Sequence, residues 1–160
     1  LEEEEAHAAA DAQYVPEIDA DVLYSRYYRG IAHMQLGAYE AAIADFTACV
    51  EDDVNAETAC FWRGACYLDA GDYALALKDF TLCREAGVEE ESCLYYTALC
   101  HMGLEDYETA VAEFTECLEQ GVMPEQALYN RGMCYIQLGD TEKGQADLEA
   151  SLTQGIAQAG

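Results

Sequence analysis

Eight cysteines are the residues of this sequence with the widest capacity for chemistry, because thiols can form disulfides, bind metals or act as nucleophiles. Six of them fall into two rows in which the spacing is 34 residues. The rows are Cys49, Cys83 and Cys117, and Cys66, Cys100 and Cys134. If the period reflects stacked helical units, equivalent positions lie about 10 Å apart, too far for the ~5.5 Å of a disulfide. The rows are therefore interpreted as small core residues.

Two further cysteine pairs stay open as disulfides. Cys49 and Cys60 lie at similar distances on either side of one turn of the chain, and Cys83 and Cys93 do so at another. No C-x-x-C spacing occurs, so a zinc site is not predicted. A reducing cytoplasm is the favoured compartment. An exported or cell-envelope protein with a removed signal segment stays open, because Leu1 is not an initiator methionine.

The histidines and acidic runs do not form the residue pattern of a catalytic site. His33 and His101 share a row with Tyr67 and Tyr135, which indicates helix packing. Acidic runs, such as that at 89–91, fall at turns and helix starts, where carboxylates favour the helix N-terminus and calcium is the weaker interpretation. Serine-hydrolase, zinc-protease, P-loop and EF-hand motifs do not occur. We therefore expect no enzyme activity, no cofactor and no metal.

Arginine and acidic residues recur at a spacing of 16. The pairs are Arg29 with Asp45, Arg63 with Asp79, and Arg131 with Asp147. The third unit departs from this pattern, with Thr97 opposite Glu113. This co-occurrence predicts an ion pair inside each unit that fixes the register of its two helices, and an anion site formed by the three arginines is the alternative.

The composition limits the partners. Seven basic residues face 32 acidic ones, a formal net charge of −25. Nucleic acid and anionic membrane are polyanions that require a Lys/Arg surface, so neither is expected as a partner. No apolar run is long enough for a membrane span, so direct membrane insertion is not expected either.

The elements that must position these residues are repeats. Landmark glycines, tyrosines, alanines and phenylalanines return every 34 residues and divide the chain into units 23–56, 57–90, 91–124 and 125–158. Apolar spacing inside each unit predicts two helices. First helices are predicted near 23–36, 57–70, 91–104 and 125–138, and second helices near 39–52, 73–86, 107–120 and 141–154. Each second helix is predicted to stop at Asp53-Val54, Gly87-Val88, Gly121-Val122 or Gly155-Ile156.

At the level of motifs, the segments 129–140 (YNRGMCYIQLGD) and 37–46 (GAYEAAIADF) resemble the tetratricopeptide repeat (TPR). The resemblance covers residues 23–158 and implies an all-α fold, a right-handed α-α superhelix of four helix-turn-helix units. Departures from the pattern are local, at Ala98 and Glu105 in unit three and at Thr141, Gly144 and Leu148 in unit four.

Small residues follow two rows that we expect where the helices of a unit approach closely. Gly30, Gly64, Ala98 and Gly132 are predicted to lie opposite Ala42, Ala76, Ala110 and Gly144. Phe46, Phe80 and Phe114 are predicted to fill the space between units. Residues 1–22 do not form a full unit. They are either the degenerate helix of a preceding repeat or a disordered acidic arm.

The resemblance also implies a binding surface, because first helices line the concave groove of such proteins. The predicted groove residues are Tyr24, Tyr27, Ile31, Met34, Phe61, Ala65, Leu68, Tyr95, Leu99, Met102, Tyr129, Met133 and Ile136. The tyrosine row is expected to be exposed, whereas the row of Met34, Leu68, Met102 and Ile136 could instead be inter-helix core.

This groove is expected to bind an apolar or aromatic segment of a protein or peptide partner, with basic flanks drawn by the acidic surround. Family members that hold acidic C-terminal tails use cations in this groove, and this chain lacks them there. The alternative is a self-associating structural module, and thus a homo-oligomer.

Overall fold

The computed structural model describes residues 20–159, which form eight helices joined by short turns. The helices are α1 (Ala20–Gln35), α2 (Tyr39–Glu51), α3 (Ala56–Ala70), α4 (Tyr73–Glu85), α5 (Glu90–Gly103), α6 (Tyr107–Gln120), α7 (Pro124–Gln137) and α8 (Thr141–Ala159). Each helix packs on the next one along the chain. The predicted all-α fold of helix pairs, a right-handed α-α superhelix, is confirmed. The expectation for the N-terminal segment lies, up to residue 19, outside the described residues.

Left-handed residues end three of the second helices, as predicted. Gly121 has φ +72° and Gly87 φ +74°, and Asp53 takes the same conformation with φ +55°. The apolar residue that follows returns its N–H to the last turn, as Val88 does to the Cys83 carbonyl at 2.9 Å. These bonds satisfy carbonyl groups that the end of a helix would otherwise leave unpaired.

The predicted stop at Gly155 is wrong, because α8 continues through it to Ala159. A Cβ atom at Gly155 would lie 2.7 Å from Glu125 Oε1, on the first turn of α7. This glycine therefore lies inside a helix, beside the Glu125 side chain, and does not form a left-handed cap.

Small residues do mark the close approaches inside the units. A Cβ at Gly132 would lie 2.9 Å from the Gly144 carbonyl oxygen, which confirms the contact predicted in unit four. At Gly30 the nearest atoms belong to Phe46, 2.9 Å away, and not to the alanine row. The phenylalanine ring fills the space that a side chain at the glycine would need.

Three buried clusters form the core, and each joins one unit to the next. Phe46 packs with Ala59 and Cys66 of the second unit, and Phe114 packs with Ala127 and Cys134 of the fourth. Phe80 stacks on Tyr96 with ring centroids 5.1 Å apart. The prediction that the phenylalanines fill the space between units is confirmed.

The curvature of the stack follows from its longer-range contacts. α1 touches α3 and α5 touches α7, all of them first helices, and no second helices of the described chain pack on one another to a comparable extent. The side made by the first helices is therefore the shorter, concave one. Among residues 20–159, no helix combines the length and apolar composition that a membrane span needs.

Candidate functional site: the concave surface and the polar pairs behind it

Bidentate ion pairs clamp the two helices of three units, as predicted. Arg63 donates to Asp79 through Nε and Nη2, each at 2.8 Å, and Arg131 donates to Asp147 at 2.7 and 2.8 Å. Arg29 makes the same pair, with Nε 2.8 Å from Asp45 Oδ2. The forked geometry raises the pKa of each guanidinium, because the hydrogen-bonded carboxylate favours the charged form. These arginines are occupied internally, so the alternative anion site is not formed.

The arginines also connect successive units, which the spacing did not predict. Arg63 Nη1 donates to Thr47 Oγ1 at 3.3 Å, and Arg131 Nη1 donates to Thr115 Oγ1 at 3.0 Å. Each threonine lies on the second helix of the preceding unit. The guanidinium therefore fixes register both within a unit and between units.

The third unit replaces the arginine with a histidine from one turn further along its helix. His101 Nδ1 lies 2.7 Å from Glu113 Oε2, while the Thr97 hydroxyl donates to the Leu94 carbonyl of its own helix. His101 was predicted only to pack between helices, and its polar role was missed. A signal was present, since the loss of arginine, the longer acid and the histidine occur together in one unit.

None of the eight cysteines forms a disulfide, and all eight are buried. Burial raises the pKa of the Cys66, Cys117 and Cys134 thiols to about 11, because the charged thiolate is disfavoured away from water. Thiols of this kind are poor nucleophiles near neutral pH. The interpretation of the rows as core residues agrees with this burial.

Three cysteines nevertheless lie together. Cys83 lies beside both Cys60 and Cys93, while the Cys93 thiol donates to the Val88 carbonyl at 3.4 Å. The neighbouring Cys83 thiol lowers the pKa of Cys93. Of the two pairs left open by the sequence, Cys83 with Cys93 is thus in contact as thiols, whereas Cys60 contacts Cys83 and Asp79. Within the described part of the chain, no His, Cys, Asp or Glu side chains form a metal-binding group.

The predicted groove residues differ widely in exposure. Tyr24 and Tyr129 are exposed, and Phe61 and Tyr95 are buried, with exposed fractions of 7% and 8%. The others are half-buried: Tyr27, Ile31, Met34, Ala65, Leu68, Leu99, Met102, Met133 and Ile136. The expectation that the whole tyrosine row is exposed is wrong for Phe61 and Tyr95.

The buried members are covered by the following unit. Asn130 Nδ2 donates to Tyr95 Oη at 2.9 Å, and Tyr96 packs edge-on against Phe61 with ring centroids 5.9 Å apart. Tyr129 occupies the same row in the last unit and remains 52% exposed. The row is thus the joint between units, and only its last member offers a large surface.

The half-buried members pack against the cores from the concave side. Met34, Leu68 and Met102 each contact one of the three buried clusters, as do Ile31, Ala65 and Leu99. Their remaining exposed surface forms an apolar floor along the first helices.

One hollow of about 290 Å³ interrupts this floor between the first turns of α3 and α5. Its walls are aromatic and its rim is polar. The lining residues are Phe61, Trp62, Tyr96, Val88, Thr58, Ser92 and Glu89. Trp62 lies edge-on to Phe61 with centroids 5.2 Å apart, and its indole lies beside Tyr27.

The rim of this hollow is negatively charged. Ser92 Oγ donates to Glu89 Oε2 at 3.4 Å and so holds the carboxylate at the edge. Burial raises the pKa of Tyr96, and the nearby Asp69 and Glu89 charges raise it further. An apolar space with a carboxylate edge suits a ligand that is apolar in the centre and positively charged beside it.

Stacked helix pairs, internal ion pairs and a solvent-facing apolar floor define the class: an α-helical repeat protein that acts as a protein-interaction scaffold. Three models of the tetratricopeptide repeat family match the chain, at residues 27–85, 92–120 and 125–154. The chain belongs to the tetratricopeptide repeat family.

Solved structures of MamA share this fold. The structure of MamA 41-end from Desulfovibrio magneticus RS-1 superposes with a TM-score of 0.78 at 21% identity, over 90% of this chain and 80% of that one. The structure designated MamA MSR-1 C2 gives a TM-score of 0.74 at 18% identity, over 88% and 82% of the two chains. At these identities the likeness concerns the fold alone. A comparison with curated proteins gave no significant match.

Proposed function

We propose that this TPR protein holds an apolar or aromatic segment of a protein partner in its concave groove, with basic residues on either side of that segment. It does so without catalysis. The observation that carries the proposal is the aromatic hollow between α3 and α5, with Glu89 at its rim.

The hollow supplies the affinity of such a site. Its volume of about 290 Å³ is at the lower end for ligand pockets, which fits one aliphatic or aromatic side chain of a longer segment. Burial of such an anchor contributes about 1.5–3 kcal/mol. Half-buried neighbours such as Leu68 and Leu99 extend the apolar contact along the groove.

Charge supplies the orientation. Glu89 and Asp69 lie near Tyr96, and the chain carries a net charge of −25. Complementary potentials accelerate association and disfavour partners of the same sign. Basic flanks are therefore favoured, and an acidic C-terminal tail is disfavoured.

Selection from a library of random displayed peptides tests this chemistry. We expect enriched peptides to combine an aromatic or aliphatic centre with Lys or Arg beside it. Thr58→Phe, which places a ring in the hollow from its exposed rim, should lower their affinity at least tenfold. Thr153→Phe makes the same change at an exposed position on α8 and should leave binding unchanged. Enrichment of acidic peptides, or equal binding by both variants, would contradict the proposal.

Self-association is a second candidate, favoured by one observation at the ends of the stack. Tyr28 and Tyr129 are exposed although their rows form the joints between inner units, where Tyr96 covers Phe61. Tyr28 lies in the row of Tyr96, and Tyr129 lies in the row of Phe61. Two copies that meet end to end could therefore form the same contact that joins the inner units. Light scattering after size-exclusion chromatography tests this. A monomer at micromolar concentration removes the candidate, and a dimer lost in Tyr129→Ser supports it.

A further inference from the structure

Comparison of the four units shows that a group is missing from the third. In units two and four a guanidinium bridges three acceptors: both carboxylate oxygens of the acid on the second helix, and a threonine hydroxyl of the preceding unit. For Arg131 these are Asp147 and Thr115. For Arg63 they are Asp79 and Thr47.

The equivalent position in unit three is held by Thr97, which cannot make these contacts. Its hydroxyl donates to the Leu94 carbonyl at 2.9 Å, within its own helix. The corresponding acceptors are still present in the chain. They are Glu113 on α6 and Thr81 on α4.

These acceptors are arranged as in the occupied units. Thr81 Oγ1 donates to the Leu77 carbonyl at 2.7 Å, as Thr115 Oγ1 donates to the Val111 carbonyl at 2.7 Å beneath Arg131. The Thr81 lone pairs are therefore available in the way that the Thr115 lone pairs are. Glu113 receives His101 at Oε2, and its Oε1 has no hydrogen-bond donor among residues 20–159.

A hollow of about 460 Å³ occupies this place, and we call it the unit-three hollow. Thr81, Thr97, His101 and Glu113 line it, and Leu77 forms an apolar wall. At its edge, Glu85 adds negative charge, whereas Arg84 opposes a cation. Arg84 is itself bonded to Glu116 at 3.2 Å, which offsets part of its charge.

We propose that the unit-three hollow binds a guanidinium group, presented by an arginine side chain of a protein partner. The group takes the position that Arg63 and Arg131 fill in their own units, between Glu113 Oε1 and Thr81 Oγ1. The volume leaves room for the methylene stem along Leu77. Its two acceptors lie on the second helices of units two and three, α4 and α6. The hollow shares no lining residue with the aromatic hollow of the concave groove.

Guanidinium ion at low millimolar concentration is the direct probe, used with the full chain. Urea unfolding is followed with guanidinium chloride or with sodium chloride at the same ionic strength. At ten times its dissociation constant, a ligand of the folded state raises the folded-to-unfolded ratio about elevenfold. We expect a saturable rise of the urea midpoint with guanidinium only, and a shift of the His101 ring resonances in NMR spectra.

Thr97→Arg fills the hollow covalently. This variant should have a higher urea midpoint than the natural chain and should no longer respond to guanidinium. Thr153→Arg adds the same charge on exposed α8 and should keep the full response. Glu113→Gln, which removes the carboxylate, should lose most of the response and serves if Thr97→Arg does not fold.

A second pair of probes tests the source of the guanidinium. Nα-acetyl-arginine amide should shift the His101 resonances, and Nα-acetyl-lysine amide should do so at least fivefold more weakly, because an ammonium cannot bridge the carboxylate and the threonine as a fork does. The proposal is overturned if guanidinium acts no differently from sodium, if Glu113→Gln responds like the natural chain, or if the arginine probe does not bind. If peptides bind in the concave groove but guanidinium does not bind in the unit-three hollow, this inference alone is overturned and the proposed function stands.

Discussion

The loss of stability when a paired arginine is replaced by alanine should depend on how deeply its ion pair is buried. The side chain of Arg63 is 16% exposed and that of Asp79 is 3% exposed, whereas Arg29 is 61% exposed. Breaking a buried pair by removing one partner costs about 3–5 kcal/mol, because the remaining charge is left uncompensated. Arg63→Ala should therefore reduce the free energy of unfolding by that amount.

The same substitution at Arg29 should cost clearly less than that at Arg63. Its guanidinium is largely solvated, and His33 Nε2 lies 4.0 Å from Asp45 Oδ2 and stays near the carboxylate. Two identical substitutions in equivalent positions should therefore differ, because the Arg63 guanidinium is the more deeply buried and Asp45 keeps a histidine beside it.

Urea unfolding monitored by far-UV circular dichroism and by the fluorescence of Trp62 measures both values. Arg84→Ala is the matched control, because Arg84 and Glu116 form a single exposed contact and its loss should cost under about 1 kcal/mol. Arg63→Lys keeps the charge but loses the fork, and should fall between the natural chain and Arg63→Ala. Equal losses for Arg63→Ala and Arg29→Ala would refute the reasoning.

Three further predictions concern packing and protonation. Gly132→Ala should cost about 1–3 kcal/mol in urea unfolding, because its Cβ meets the Gly144 backbone at 2.9 Å; an unchanged midpoint would show that α7 and α8 can move apart freely. Asn130→Ala should cost about 1–3 kcal/mol, since it leaves the buried Tyr95 hydroxyl without its amide partner, and it should raise the pKa of Tyr95 in a spectrophotometric titration. Stability should fall as the pH rises from about 9 towards 11, because the Cys66, Cys117 and Cys134 thiols have pKa values of about 11 and retain protons that unfolded thiols release near 8.5; a flat profile over that range would contradict the burial of these thiols.

The repeat pattern predicted most of the fold because the period and the small residues report contacts inside one unit. The spacing of Arg63 and Asp79 likewise joins two helices connected by a tight turn, so a fixed sequence separation corresponds to a fixed place in space. Such local relations can be read from sequence.

Relations between units were harder to predict. Tyr95 is buried because Asn130 and its helix lie over it, and the tilt of one unit on the next has no signature in the spacing. Gly155 shows a similar limit, because a glycine inside a helix and a glycine at a left-handed cap look alike in sequence. The exchange of arginine for His101 involves Thr97, His101 and Glu113 together. A comparison of one row at a time considers each position alone and so misses the exchange.

The most direct test of the central claim is a titration of Trp62 fluorescence with two synthetic peptides. Trp62 is the only tryptophan and lines the aromatic hollow. The peptides share one aromatic centre and carry either lysine or glutamate on both sides. The lysine-flanked peptide should change the fluorescence saturably, with an affinity that falls as salt is added and is lost in Thr58→Phe. Stronger binding of the glutamate-flanked peptide, or no change of the Trp62 signal with either peptide, would contradict a groove that binds an apolar segment between basic flanks.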